Sequence, residues 1–175
     1  EARALADTMI ERFADEENGG FFETSSDHEQ LLARRKDLED HPIPSGNASA
    51  AYGLLRLAAL TGEHSYESRA VSVLRLLHEL AQKHPQAFGH LLQAMDFHLA
   101  SVKEVALVGE DLHPLERVVR GEFRPHLVVA GGAPDGVPLL QDRPPVDGRA
   151  AAYVCERFAC KAPVTQPEEL ERLLA

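Results

Sequence analysis

The chain has 175 residues, 44% hydrophobic and 26% charged, which is long enough for a buried core and excludes collagen, a disulfide-dense scaffold and full disorder. No apolar run approaches the roughly 18 residues that a membrane span needs. Net charge is −10, with 9 basic against 16 acidic residues over 1–100 and 9 against 12 over 101–175, so neither part offers the clustered Lys and Arg that nucleic acid requires.

The chain begins Glu1-Ala2-Arg3, with no apolar leader and no initiator Met, so a cytoplasmic piece of a longer protein is expected. Leu5, Met9, Ile10 and Phe13 recur at helical spacing and predict a one-sided first helix over 1–15. Asn18-Gly19-Gly20 stops it, and Phe21-Phe22-Glu23-Thr24 reads as a short strand. No long periodicity follows until Pro44, and so long a connection inside a domain is often functional. Its one basic cluster, Arg34-Arg35-Lys36, is either a small anion site or a solvated loop balanced by Asp37, Glu39 and Asp40.

Ser45 is a good N-cap for a second helix over 45–60, where Arg56 is the only charge. A helix apolar nearly all round is expected to be buried on all sides. The third helix, 66–82, is one-sided through Tyr66, Ala70, Val73, Leu74, Leu77 and Leu80. The fourth, 86–99, is largely apolar again. An amphipathic, buried, amphipathic, buried order fits outer helices wrapped around inner ones, as in part of an α/α toroid. Two hairpins cannot close such a ring. Apolar inner-helix surface is therefore expected to be exposed and to drive self-association through 45–60 and 86–99.

The pattern changes near residue 100. Val102–Val108 is a strand, His113–Glu122 a helix and His126–Ala130 a second strand, a βαβ unit with parallel strands. Gly131–Gly136 is a loop and Ala151–Cys155 a third strand. Thr165-Gln166-Pro167-Glu168 reads as a capping box opening a last helix. The expected class is α+β: antiparallel helical hairpins over 1–100, then a small α/β unit over 101–175 with a short, mostly parallel sheet.

Two constellations could carry chemistry. At the inner-helix N-termini, unpaired backbone N–H groups suit carboxylates, anions or sugar hydroxyls. There Ser45 and Asn47, with Arg35, are candidate contacts to a sugar or other small polar ligand. Asp37 and Asp40 are candidate acid/base groups, and His90 is a candidate proton shuttle. Against this, Ser45 is equally a plain cap, His90 a structural histidine, and the acidic residues a solvated loop.

The second constellation is Cys155 and Cys160, separated by four residues. Flanking a hairpin turn, they would oppose each other within disulfide reach. Without a secretion signal, reduced thiols are the default; a regulatory disulfide and a poor metal site stay open beside it. Neither a metal centre nor a cofactor is expected: there is no HExxH, no GxSxG and no GxGxxG, and Glu110-Asp111 after the first strand would repel a phosphate.

Gly19-Gly20-Phe21-Phe22-Glu23-Thr24, Arg35-Lys36-Asp37, Asp40 and Pro44-Ser45-Gly46-Asn47 form a pattern with Tyr153-Val154-Cys155, Cys160, Pro163-Val164-Thr165 and Pro167-Glu168-Glu169-Leu170. The combination resembles the C-terminal part of the thioredoxin-domain-containing proteins related to spermatogenesis-associated protein 20, over nearly the whole chain. His41 departs from it, standing where a small or amide residue is expected. The resemblance implies the last hairpins of a toroid like that of six-hairpin glycosidases and N-acylglucosamine 2-epimerases. It also implies a preceding thioredoxin-like domain absent from these residues, and it assigns no catalytic residue. Two functions from different classes are thus expected: sugar binding or transformation by a carbohydrate-active-type toroid, or a thiol-redox accessory role through Cys155 and Cys160. A non-catalytic scaffold is a third.

Overall fold

The computed structural model describes residues 1–29, 33–133 and 136–175. Pro134 and Asp135 of the expected loop, and residues 30–32 of the long connection, lie outside the described residues. The chain divides into two compact units: Glu1–Ala58 with Glu63–Leu99, and Ala59–Gly62 with Ala100–Ala175. Helices and a small mixed sheet together make the class α+β.

In the first unit the helices are α1 (Ala2–Phe13), α2 (Gly46–Thr61), α3 (His64–Lys83) and α4 (Gly89–Leu99), with one 3-10 turn, Pro85–Ala87, before α4. The α3 stripe forms as expected through Tyr66, Ala70, Val73, Leu74 and Leu77, but Ala81 completes it while Leu80 points outward. Tyr66 ties α3 to α1 by donating its hydroxyl to Asp7 Oδ1 at 2.6 Å. The α1 stripe is weaker than its spacing promises. Only Ala6 is buried, and Leu5 is 71% exposed.

The expectation that α2 and α4 are buried on all sides is corrected. Ala48, Ala51, Leu54 and Leu55 of α2 are buried, and Leu91, Ala94 and Phe97 of α4, whereas Gly53, Leu92 and Leu99 are exposed. Apolar residues all round a helix describe what it could bury; here one side of each has neighbours. Tyr52 of α2 supplies one such contact, meeting Phe97 and His90 edge-on at 5.6 and 5.5 Å.

The stretch Phe21–Thr24 is not a strand. Phe21 makes one isolated bridge to Ala14, and its own amide and carbonyl are taken by a side chain, that of Asn47. Gly20 before it adopts φ +73°, and a Cβ there would stand 2.9 Å from Asn47 Oδ1. Only glycine lets the chain come this close in that conformation.

The second unit is a four-stranded sheet in the order β2-β1-β3-β4: β1 (Lys103–Val108), β2 (Leu127–Gly131), β3 (Ala151–Glu156) and β4 (Ala159–Cys160). It also holds the helices α5 (His113–Arg120) and α6 (Pro167–Leu174). The β1–α5–β2 crossover gives the expected parallel pair. The expectation of a mostly parallel sheet is corrected, since β3 runs antiparallel to β1 and β4 antiparallel to β3. Strand composition reports burial, not direction. Direction here follows the path of the connection from β2 to β3, which includes a 3-10 turn at Pro138–Leu140.

Alternation then sorts the two faces. Val105, Leu107, Ala152 and Val154 face Leu115 and Val119 of α5 and Leu170 and Leu174 of α6. Ala106, Val108 and Ala151 face Leu139 and Leu140. The capping box does not form: α6 has Gln166 as N-cap, with no side-chain bond, and Pro167 inside the first turn. At the other end of α6, Lys103 Nζ donates to the Leu173 carbonyl at 3.0 Å, a cation at the negative end of the helix.

Candidate functional site

Of the residues expected to form a sugar site, Asp37, Asp40, Ser45, Asn47 and His90 are linked by hydrogen bonds, and those of Asp37, Asp40 and Ser45 are helix caps. Ser45 Oγ accepts from the Ala48 amide at 3.1 Å, as an N-cap should. Asp37 Oδ2 accepts from the Gly46 amide at 3.0 Å. Asp40 spans two helix starts, accepting from Ser45 N–H through Oδ1 at 2.8 Å and from His90 N–H through Oδ2 at 2.7 Å. Carboxylates at these positive ends are favourable in their own right. His90 thus joins through its backbone, while its ring lies on Tyr52.

Asn47, 2% exposed, is a clamp. Its Oδ1 accepts from Phe21 N–H at 2.7 Å, and its Nδ2 donates to the carbonyls of Phe21 at 2.9 Å and Asp37 at 2.8 Å. The basic cluster also turns inward. Arg34 Nη2 donates to the Thr24 carbonyl, and its guanidinium lies 4.1 Å over the Phe22 ring. Lys36 Nζ pairs with Asp15 at 2.8 Å and donates to the Gly19 carbonyl at 2.6 Å. That Lys36 bond, with amides from Asn18 and Glu17, holds the Asp15 carboxyl well below the ordinary carboxylate range. Arg35 alone keeps its side chain exposed, its carbonyl accepting from Glu23 N–H at 2.8 Å.

The cysteines are a different case. β3 and β4 are joined by a two-residue turn, Arg157-Phe158, with φ +51° and +62°. Positive φ at both central residues is the turn whose twist suits an antiparallel hairpin, though Asn-Gly is its usual sequence. Register then sets Cys155 opposite Cys160 with Cα atoms 3.9 Å apart. The next pair along is bonded, Lys161 N–H to Val154 O at 3.0 Å, so the cysteines occupy the closer, non-hydrogen-bonded position. They form a disulfide, which corrects the default of reduced thiols. Cys155 is buried, whereas Cys160 is exposed.

Two residues that the sequence reading passed over complete this site. Arg143 Nη2 lies 3.1 Å from Cys160 Sγ and 3.8 Å from Cys155 Sγ. Its Nη1 is held by the Gln141 carbonyl at 2.9 Å, and its Nε is buried without a partner. No sequence signal marks Arg143, which sits in an irregular loop. Glu104 is the register partner of Cys155 on β1 and is only 4% exposed. Its Oε2 accepts from Phe158 N–H at 2.8 Å. Burial pushes the Glu104 carboxyl up from its ordinary value, and the Phe158 and Arg157 amides and the Arg143 charge hold it back. A signal did exist for Glu104: after Lys103 it is a lone carboxylate leading an apolar run, and the five residues from Glu104 on are all buried.

Beside the disulfide an open cavity of about 440 Å³ is lined by Tyr153, Phe158, Cys160 and Arg143. A second, of about 630 Å³, lies at the ends of β1 and β2 against Gly109 and Gly132, and it too is lined by Asp142 and Arg143. Among the described residues, no group of His, Cys, Asp and Glu has the arrangement to hold a metal ion. No helix there is long and apolar enough to cross a membrane.

By fold and site, the second unit is a small mixed-sheet α+β unit presenting a half-exposed hairpin disulfide against an arginine. Over 99% of its length the chain is similar to spermatogenesis-associated protein 20 of Homo sapiens, at 31% identity over 185 residues. The proteins of that name from Rattus norvegicus and Mus musculus are each 30% identical over the same length. The chain spans about a quarter of these relatives, 24% of the human protein and 23% of the rodent ones. No family model matches it.

Proposed function

We propose that the second unit is a thiol–disulfide exchange site, acting with a dithiol protein of the thioredoxin type. One observation carries this reading: the exposed Cys160, bonded to the buried Cys155, has the Arg143 guanidinium against its sulfur at 3.1 Å. An exposed disulfide is open to thiolate attack, and a neighbouring cation stabilises the thiolates that reduction releases. In the reducing cytoplasm, where the chain is expected to reside, disulfides are mostly transient ones of this kind.

The exchange balances as follows. A partner thiolate attacks Cys160 Sγ, the Cys155–Cys160 bond breaks, and Cys155 leaves as a thiolate. The partner's second thiolate then attacks its own sulfur in the mixed disulfide and releases Cys160 as a thiolate. Two electrons have passed from the partner dithiol to the pair, the partner is left as a disulfide, and the released sulfurs take up protons according to pH.

The test uses a thioredoxin whose resolving cysteine is replaced by serine, so that the mixed disulfide accumulates. A one-to-one adduct through Cys160, mapped by peptide mass, is expected. Absence of an adduct, or one through Cys155, would contradict the reading.

A carbohydrate site built from Arg35, Asp37, Asp40, Ser45, Asn47 and His90 draws less support. Asp40 spends both carboxylate oxygens on helix amides, and Asn47 spends its amide on Phe21 and Asp37. The toroid reading of the helical unit rests on its helix order and the resemblance, and self-association through α2 and α4 draws its support from α4, where Leu92 and Leu99 lie exposed. Sedimentation showing only monomer would end the self-association reading.

A further inference from the structure

We infer that Glu104 is a positioning residue for the Cys155–Cys160 pair, acting through the hairpin turn whose Phe158 amide it accepts; this rests on the exchange reading above. The turn is intrinsically poor. Arg157 and Phe158 both carry a Cβ into the left-handed region, which crowds the neighbouring carbonyl and disfavours the turn. β4 beyond it is only two residues long, so little ladder is available to hold the hairpin shut. Glu104 supplies what the sequence of the turn lacks. It sits on the central strand, buried, with Oε2 fixed on Phe158 N–H at 2.8 Å.

By closing the turn, Glu104 sets how often Cys160 meets Cys155 when the two are reduced. The stability of a disulfide against a reference dithiol follows this effective concentration. Glu104 therefore biases the pair toward the oxidised form without touching the sulfur that reacts. The charged groups acting on it are Arg143, from the loop beside the pair, and Glu156, on β3.

The test is the equilibrium of the 175-residue chain with dithiothreitol, read by alkylation and mass. Glu104→Ala should shift it toward the dithiol about tenfold, which is about 30 mV for two electrons. Glu104→Gln keeps one acceptor oxygen and should fall between the two. Replacing the turn by its preferred sequence, Arg157→Asn with Phe158→Gly, should restore the oxidised form in the Glu104→Ala background. In the Glu104 background the same replacement should change the equilibrium less than about twofold.

If Glu104 acted instead as a proton donor or a bare charge, Gln would behave as Ala and the new turn would rescue nothing; either result overturns the inference. So does a Glu104→Ala equilibrium within about twofold of the original. Should Glu104→Ala fail to fold by far-UV circular dichroism, Glu104→Gln and the rescued triple variant decide alone. A wild-type pair that does not exchange with dithiothreitol at all overturns the exchange reading itself, and this inference with it.

Discussion

Replacing Asn47 by Ala should be among the most damaging single changes in the helical unit. The side chain is 2% exposed and makes three hydrogen bonds. Its loss leaves the Phe21 amide and carbonyl without partners in a buried setting, while the Asp37 carbonyl is nearer water. Each buried orphan costs about 1–3 kcal/mol, so a loss of about 4 kcal/mol is expected. For a unit of this size that lowers the melting temperature by about 16 °C or more. Urea and thermal melts followed by circular dichroism provide the measurement, and the Phe21 amide should lose its protection from hydrogen exchange. Gly20→Ala should be strongly destabilising too, but less so once Asn47 is Ala, because the atom that its Cβ would strike is Asn47 Oδ1. A loss under about 1 kcal/mol for Asn47→Ala, with Phe21 still protected, would refute the clamp and return Asn47 to the pool of ligand contacts.

Arg143→Gln removes the cation beside both sulfurs and should slow exchange with dithiothreitol at pH 7 by about three- to tenfold; an unchanged stopped-flow rate would remove Arg143 from the site. Gly109→Ala should destabilise the sheet unit by about 2 kcal/mol or more in denaturant melts. Its φ is +113°, and a Cβ would stand 2.7 Å from the Ala150 backbone. The acid limb of stability should carry a contribution from Asp15. Its carboxyl is held below the ordinary value of 3.8, so its stabilisation is present above that pH and is lost as pH falls below it. Asp15→Asn should flatten that limb, and an unchanged pH profile would contradict the Lys36–Asp15 pairing as its source.

Local signals carried much of the helical unit. Ser45 caps α2 because a hydroxyl ahead of a helix has an amide to satisfy, and the α3 stripe needs only spacing. The convergence of Asp37, Asp40, Asn47 and His90 was also legible, since the long connection feeds directly into Ser45. What the sequence left open was the use of those groups. A carboxylate at a helix start looks the same whether it waits for a ligand or already accepts an amide, and Asp40 does the latter at two helices.

Phe21–Thr24 misled for a related reason: its strand-like composition is answered by a side-chain amide 26 residues away. In the second unit, apolar runs located every strand except the two-residue β4, while strand direction depends on a chain path that no local pattern records. The pairing of the cysteines was open in the sequence because it depends on a two-residue turn of non-glycine residues. That turn is held from another strand by Glu104.

The most direct test of the exchange site is a redox titration of the folded 175-residue chain in graded dithiothreitol buffers, with the Cys155 and Cys160 thiols counted by alkylation mass. An exchanging pair should titrate reversibly with a midpoint above about −300 mV, with the fold retained throughout. A midpoint well below that value, or reduction only on unfolding, would make the disulfide a structural staple and contradict the proposed function.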